Sequence, residues 1–139
     1  MKCSTRGRYA LRLMIDLAVN AGESPVTLKD ISRRQGVSVK YLEQIVPLLA
    51  RAGLLSSSRG AQGGYRLAKP ADQYTAGEIL RVTEGRIAPV DCSTAAGDPC
   101  PRRGACPAQG FWQGLERVID EYVDGVTLTD LAAQEAAAK

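Results

Sequence analysis

A chain of 139 residues, 45% hydrophobic and 24% charged, suffices for one domain with a modest core. It has no histidine, which removes the commonest general base and the Ser/His and Cys/His pairs of nucleophilic catalysis, so an enzyme is not expected. The net charge of +3 conceals a split: residues 1–69 hold twelve Lys/Arg and four Asp/Glu, a net +8, while residues 70–139 hold six and eleven, a net −5. Only the first half is suited to face a polyanion. The apolar N-terminal run is interrupted by Arg12 and Asp16, and no stretch approaches a membrane span. The expected location is therefore cytoplasmic, where cysteines stay reduced.

Thr5 to Asn20 has Tyr9, Leu13, Met14 and Leu17 at helical spacing, which predicts an amphipathic helix facing a core. Its basic start, Lys2, Arg6 and Arg8, either reaches a DNA backbone or is simply solvated. Thr27 with Asp30 three residues on opens a second helix, Gly36-Val37 supplies a sharp turn, and Ser38 caps a third helix from Val39 to Ile45. Pro47 predicts a break there, with a new segment to Ala52 ended by Gly53. Leu54–Ser58 and Tyr65–Leu67 flank a glycine-rich stretch, residues 59–64, which predicts a two-stranded hairpin. That stretch lacks GK[ST] and leads into a strand, which argues against a phosphate cradle.

Helix-turn-helix followed by a hairpin is a winged helix, whose second helix is shaped for a DNA major groove. The outward residues of that helix, Ser38, Lys40, Tyr41, Glu43 and Gln44, are the candidate base and phosphate contacts. Arg59 at the wing tip is the candidate minor-groove contact, since a narrow A·T-rich groove attracts guanidinium, and Gly60 and Gln62 beside it are further candidate DNA contacts.

After the wing, Thr75-Ala76-Gly77-Glu78 is a capping box opening a helix to about Glu84, stopped by Gly85. Residues 86–107 form an irregular, cysteine-bearing loop. Ala108 to about Asp124 predicts a longer helix with Phe111, Leu115, Val118, Ile119 and Tyr122 on one stripe and Trp112 at its edge. That stripe either covers the winged domain or forms a dimer interface; two winged helices about a two-fold axis read a palindrome, which favours the dimer. Thr127 and Asp130 cap a last short helix. The expected fold is mainly α with a small β-hairpin wing. Residues 1–85 would form the DNA-binding domain, 86–107 the loop, and 108–139 the dimerisation helix and a short C-terminal helix.

Cys92, Cys100 and Cys106 lie in the loop with seven and then five residues between them, and Cys3 is far away in sequence. Structural zinc favours close CxxC pairs, which are absent, and a disulfide framework suits secreted chains. Three thiolates on one loop suit an iron–sulfur cluster, or else they are redox-active or incidental cysteines.

YLEQIVPLLARAGLL followed by SRGAQGGYRLAKP, with the opening STRGRYALRLMIDLA and the closing FWQGL…VTLTDL, resembles the Rrf2 family of bacterial winged-helix regulators over nearly the whole chain. That family includes regulators of iron–sulfur cluster assembly, nitric oxide response and cysteine metabolism. The resemblance implies a homodimer in which the long helix crosses its partner. It also implies that Cys92, Cys100 and Cys106 hold an iron–sulfur cluster, 2Fe-2S or 4Fe-4S, modulating affinity for a palindromic operator. The cluster-assembly regulators carry a ligand histidine three residues after the last cysteine; here that position is Gln109. Some relatives take a ligand from the partner's first helix, where this chain offers Arg8 and Arg12. Cys3 of the other subunit, Asp91, Gln109 and an external thiol remain candidates for the fourth ligand. The alternative expectation is a cluster-free repressor controlled by a protein partner or by cysteine oxidation.

Overall fold

The computed structural model describes residues 2–20, 22, 24–61, 63–91, 100–102 and 104–138. The central element is α1 (Thr5–Val19), which buries Ala10, Leu13, Met14 and Leu17. It starts where Ser4 Oγ accepts the Gly7 N–H, giving one of the four unpaired first-turn amides a partner. Around it lie α2 (Leu28–Gln35) and α3 (Val39–Arg51), then strands β1 (Leu55–Ser58) and β2 (Gly64–Leu67), a single 3₁₀ turn, and three further helices: α4 (Ala76–Glu84), α5 (Gln109–Gly125) and α6 (Leu128–Ala138).

The helix-turn-helix forms as expected. Thr27 Oγ1 accepts from Asp30 N–H and Ser38 Oγ from Tyr41 N–H, each at 3.1 Å. Gly36 ends α2 at φ +67°, a conformation costly for any residue with a Cβ. Val37 is buried beneath the turn, and Ile31, Leu42, Ile45, Val46 and Leu49 complete the shared core. The expected break at Pro47 is absent: α3 runs through it to Arg51. Proline removes one N–H, so the Glu43 carbonyl loses its intrahelical donor. Both residues are exposed, and water replaces that bond at little cost.

The wing is a two-stranded antiparallel sheet with Leu55 opposite Leu67 and Ser58 opposite Gly64. Its root is fixed by Val26, just before α2, which exchanges two backbone hydrogen bonds with Tyr65 at 3.0 and 2.8 Å. A Cβ at Gly64 would come 2.6 Å from the Val26 carbonyl oxygen, and one at Gly63 would come 2.5 Å from that of Ser58. The Gly63-Gly64 pair is therefore required by close backbone approach.

Thr75 caps α4 by accepting from Glu78 N–H at 3.1 Å. The chain then leaves the winged unit, traverses α5, and returns: Ala76 N–H donates to Val126 O, Leu128 N–H donates to Tyr74 O, and fully buried Leu128 begins α6, which packs on α1. No helix among the described residues is long and apolar enough to cross a membrane.

Candidate nucleic-acid interface and cysteine segment

In α3 the buried residues Leu42, Ile45, Val46 and Leu49 leave Lys40, Glu43 and Gln44 on the opposite, exposed face. Positions i, i+3 and i+4 adjoin on a helix surface, so these three side chains form one patch. Lys40 and Glu43 make no ion pair among the described residues. Ser38 is exposed but its hydroxyl already accepts from the helix. Tyr41, expected on the outward face, is half-buried, its ring edge-on to Tyr9 with centroids 5.6 Å apart. Its bulk serves α1–α3 packing, because position 41 borders the core stripe. Arg59 and Gly60 are exposed at the wing tip, where Gly63 N–H donates to Gly60 O at 2.9 Å; Gln62 lies outside the described residues.

An ion pair with one buried partner ties α1 to α2. Asp16 in α1 is 1% exposed and accepts from Arg34 Nε at 2.9 Å, Arg34 Nη2 at 2.7 Å and Gln35 Nε2 at 2.9 Å. The Asp16 carboxylate holds Arg34 more firmly protonated than an ordinary guanidinium. Arg12 reinforces the joint, donating from Nε to Gln35 Oε1 at 3.1 Å while lying 5.3 Å from the Tyr9 ring centre. Behind the wing, fully buried Tyr74 donates to Leu54 O at 2.6 Å and accepts from Ala68 and Lys69 N–H at 2.9 and 3.2 Å, locking the turn after β2. Neither of these two joints is legible in the sequence: a lone Asp in an apolar run and a Tyr outside any periodic segment carry no local signal of their partners.

Cys92 lies outside the described residues. Cys100 and Cys106 are half-buried free thiols, and Cys3 is an exposed free thiol. Among the described residues no three Cys, Asp or Glu side chains converge on one point. Cys3 lines a cleft of about 290 Å³ with Glu84, Arg86 and Ile119, at the root of the loop. Partial burial and the neighbouring Glu84 carboxylate push its thiol pKa up, disfavouring the thiolate an iron ligand must be. Gln109 opens α5, and its Oε1 accepts from Gly104 N–H at 3.0 Å. Soft sulfur donors such as Cys100 and Cys106 match iron, whereas a carboxamide already accepting an N–H is a weak competitor.

The long helix uses its stripe in two directions. Leu115 and Ile119 are half-buried, while Phe111, Val118 and Tyr122 are 65%, 60% and 72% exposed. Arg81 joins α4 to α5 through Asp120 at 2.9 Å and Asp124 at 2.6 Å, and Arg86 pairs with Glu116. Arg81 holds the Asp124 carboxyl below the usual carboxylate range.

The family model described as "Iron-dependent Transcriptional regulator", Rrf2, matches residues 3–134. The chain belongs to the Rrf2 family. As an Rrf2-family protein it is a DNA-binding transcriptional regulator, and its relatives are named as regulators rather than enzymes. It is 44% identical over 133 residues to the HTH-type transcriptional regulator CymR of Bacillus subtilis, covering 96% of this chain and 91% of that one. It is 38% identical over 131 residues to the HTH-type regulator IscR of Aliivibrio salmonicida, covering 94% and 77%. The solved structure of T. potens IscR matches with a TM-score of 0.79 at 38% identity, over 100% of this chain and 91% of that one. The Rrf2 fold thus accounts for the mostly helical architecture with a two-stranded wing.

Proposed function

We propose that this protein is a homodimeric, operator-binding regulator whose DNA affinity is set by an iron–sulfur cluster held by Cys92, Cys100 and Cys106. It would respond to iron, redox or nitrosative state. The observation that carries this reading is the pair of free, half-buried thiols at Cys100 and Cys106 on a segment running directly into α5. The family's description as iron-dependent supports it. Cys92, Cys100 and Cys106 would hold the cluster, which would supply iron–sulfur chemistry sensitive to oxidants and nitric oxide. The chain's own contribution is connection: the segment adjoins the helix whose exposed face pairs two copies, so a change in thiolate ligation alters the relation between two α3 helices. Protein purified without oxygen should be brown, with iron and acid-labile sulfide, and Cys100→Ala should bleach it. Colourless protein with stoichiometric zinc would refute this.

The similarity to CymR favours a second reading, a cluster-free regulator governed by a protein partner or by thiol oxidation. In that case anaerobic protein is colourless and the operator is bound equally well with or without iron.

On the DNA side, Lys40, Gln44, Arg59 and Gly60 would meet phosphates and grooves, with Ser38, Tyr41 and Gln62 at the edges of the footprint. Glu43 is a carboxylate on a face turned toward a polyanion, which is repulsive unless it accepts from a cytosine amino group. Glu43→Ala should relax discrimination at one base pair per half-site by about 1–3 kcal/mol, while non-specific affinity stays equal or rises. Arg59→Ala should instead weaken binding at A·T-rich flanks and slightly lower the salt dependence. Titrations against operators mutated one base pair at a time separate the two; uniform loss for Glu43→Ala would show that it reads nothing.

A further inference from the structure

Among α1 to α4 each helix opens on a Ser or Thr whose hydroxyl accepts a first-turn amide: Ser4, Thr27, Ser38 and Thr75. Thr127 does the same for α6, accepting from Asp130 N–H at 3.1 Å. The exception is α5, which opens after Ala108 with no side-chain cap. Its first residue, Gln109, turns its side chain back onto the preceding segment. Gln109 Oε1 accepts Gly104 N–H at 3.0 Å, and Gln109 N–H donates to Cys106 O at 3.3 Å. Beside these anchors Ala105 N–H donates to Arg102 O at 2.9 Å, and Gly104 sits at φ +88°. One residue thus meets that segment by side chain and by main chain, and the same residue is the start of a helix riveted to α4 through Arg81 and to the residues just after α4 through Arg86.

We infer that Gln109 is a positioning residue, not an iron ligand: it fixes the Cys100–Cys106 turn to the start of α5 and so passes any rearrangement of those thiols to the dimer helix. The inference deepens the proposed function and rests on its reading of the cysteine segment as the sensing element. The chemistry requires an acceptor at position 109, not a metal donor. Glutamate keeps the acceptor, while alanine removes it.

The test uses the full chain and three proteins: wild type, Gln109→Ala and Gln109→Glu. In metal-free protein, exchange of the Gly104 amide should speed about tenfold in Gln109→Ala, the scale of one net hydrogen bond, and stay near wild type in Gln109→Glu. After anaerobic reconstitution with iron and sulfide, Gln109→Glu should keep the wild-type visible spectrum, and Gln109→Ala should lose most of the difference in operator affinity between reconstituted and metal-free protein. Unchanged Gly104 exchange in Gln109→Ala overturns the inference, as does a changed spectrum in Gln109→Glu, which would mark residue 109 as a ligand. Wild-type protein that takes up no iron overturns the cluster reading alone, since the amide exchange still decides whether Gln109 holds the turn.

Discussion

Replacing Arg34 with Met is expected to destabilise the fold by about 3–5 kcal/mol, a large share of the roughly 5–15 kcal/mol that holds a domain of this kind together. Asp16 is 1% exposed and takes two of its three hydrogen bonds from Arg34. Removing the guanidinium strands a carboxylate that is 1% exposed with one amide donor, Gln35. The reverse substitution is milder. With Asp16→Asn, the arginine side chain is 27% exposed and can hydrate, and the amide oxygen still accepts. The expected cost is about 1–2 kcal/mol, that of one impaired hydrogen-bond set. Urea unfolding of the two variants measures the asymmetry; equal losses would show that the pair is solvated and that the α1–α2 joint is held by packing alone.

Val118→Asp is expected to produce a folded monomer. Phe111, Val118 and Tyr122 fall at i, i+7 and i+11 on α5, one face of the helix, and more than half of each is exposed in the single chain. A second copy of the same face is the occupant that the proposed homodimer requires, and in an isologous interface the substitution enters twice. One unpaired carboxylate buried in apolar contact costs at least about 3 kcal/mol, so dimer affinity should fall more than about a hundredfold. Sedimentation reads the mass, and binding to full and half operators reads the consequence: affinity for the palindrome collapses toward that for the half-site. Wild-type protein that sediments as a monomer, or a variant that stays dimeric, would remove α5 as the interface.

The sequence exposed what local chemistry determines. Thr27, Ser38 and Thr75 stand at true helix starts because a cap needs only its own next three residues, and SRGAQGGYRL marks the wing because its glycines answer a local steric demand. Local propensity misled at Pro47, where tertiary packing of Ile45, Val46 and Leu49 carries α3 through a residue that would end an isolated helix. Long-range pairings stayed hidden: Asp16 finds Arg34 across 18 residues, Tyr74 finds Leu54 across 20, and Arg81 finds Asp124 across 43. The same holds at the candidate sites. The exposure of Lys40, Glu43, Gln44 and Arg59 follows from helix period and turn chemistry, whereas the half-burial of Tyr41 does not, because its partner, Tyr9, lies on another helix. For the cysteines, spacing offers donors but not convergence, and Gln109 was legible only as an absent histidine, not as the acceptor for Gly104.

The measurement that bears most directly on cluster-gated DNA binding is an anaerobic operator titration of one protein preparation, metal-free and after reconstitution with iron and sulfide, alongside Cys100→Ala treated identically. A coupling of about 1–3 kcal/mol between the two sites predicts an operator affinity that differs roughly 5- to 150-fold between the two wild-type states. Cys100→Ala should show one affinity in both. Equal affinities for wild type with and without bound iron would contradict the account.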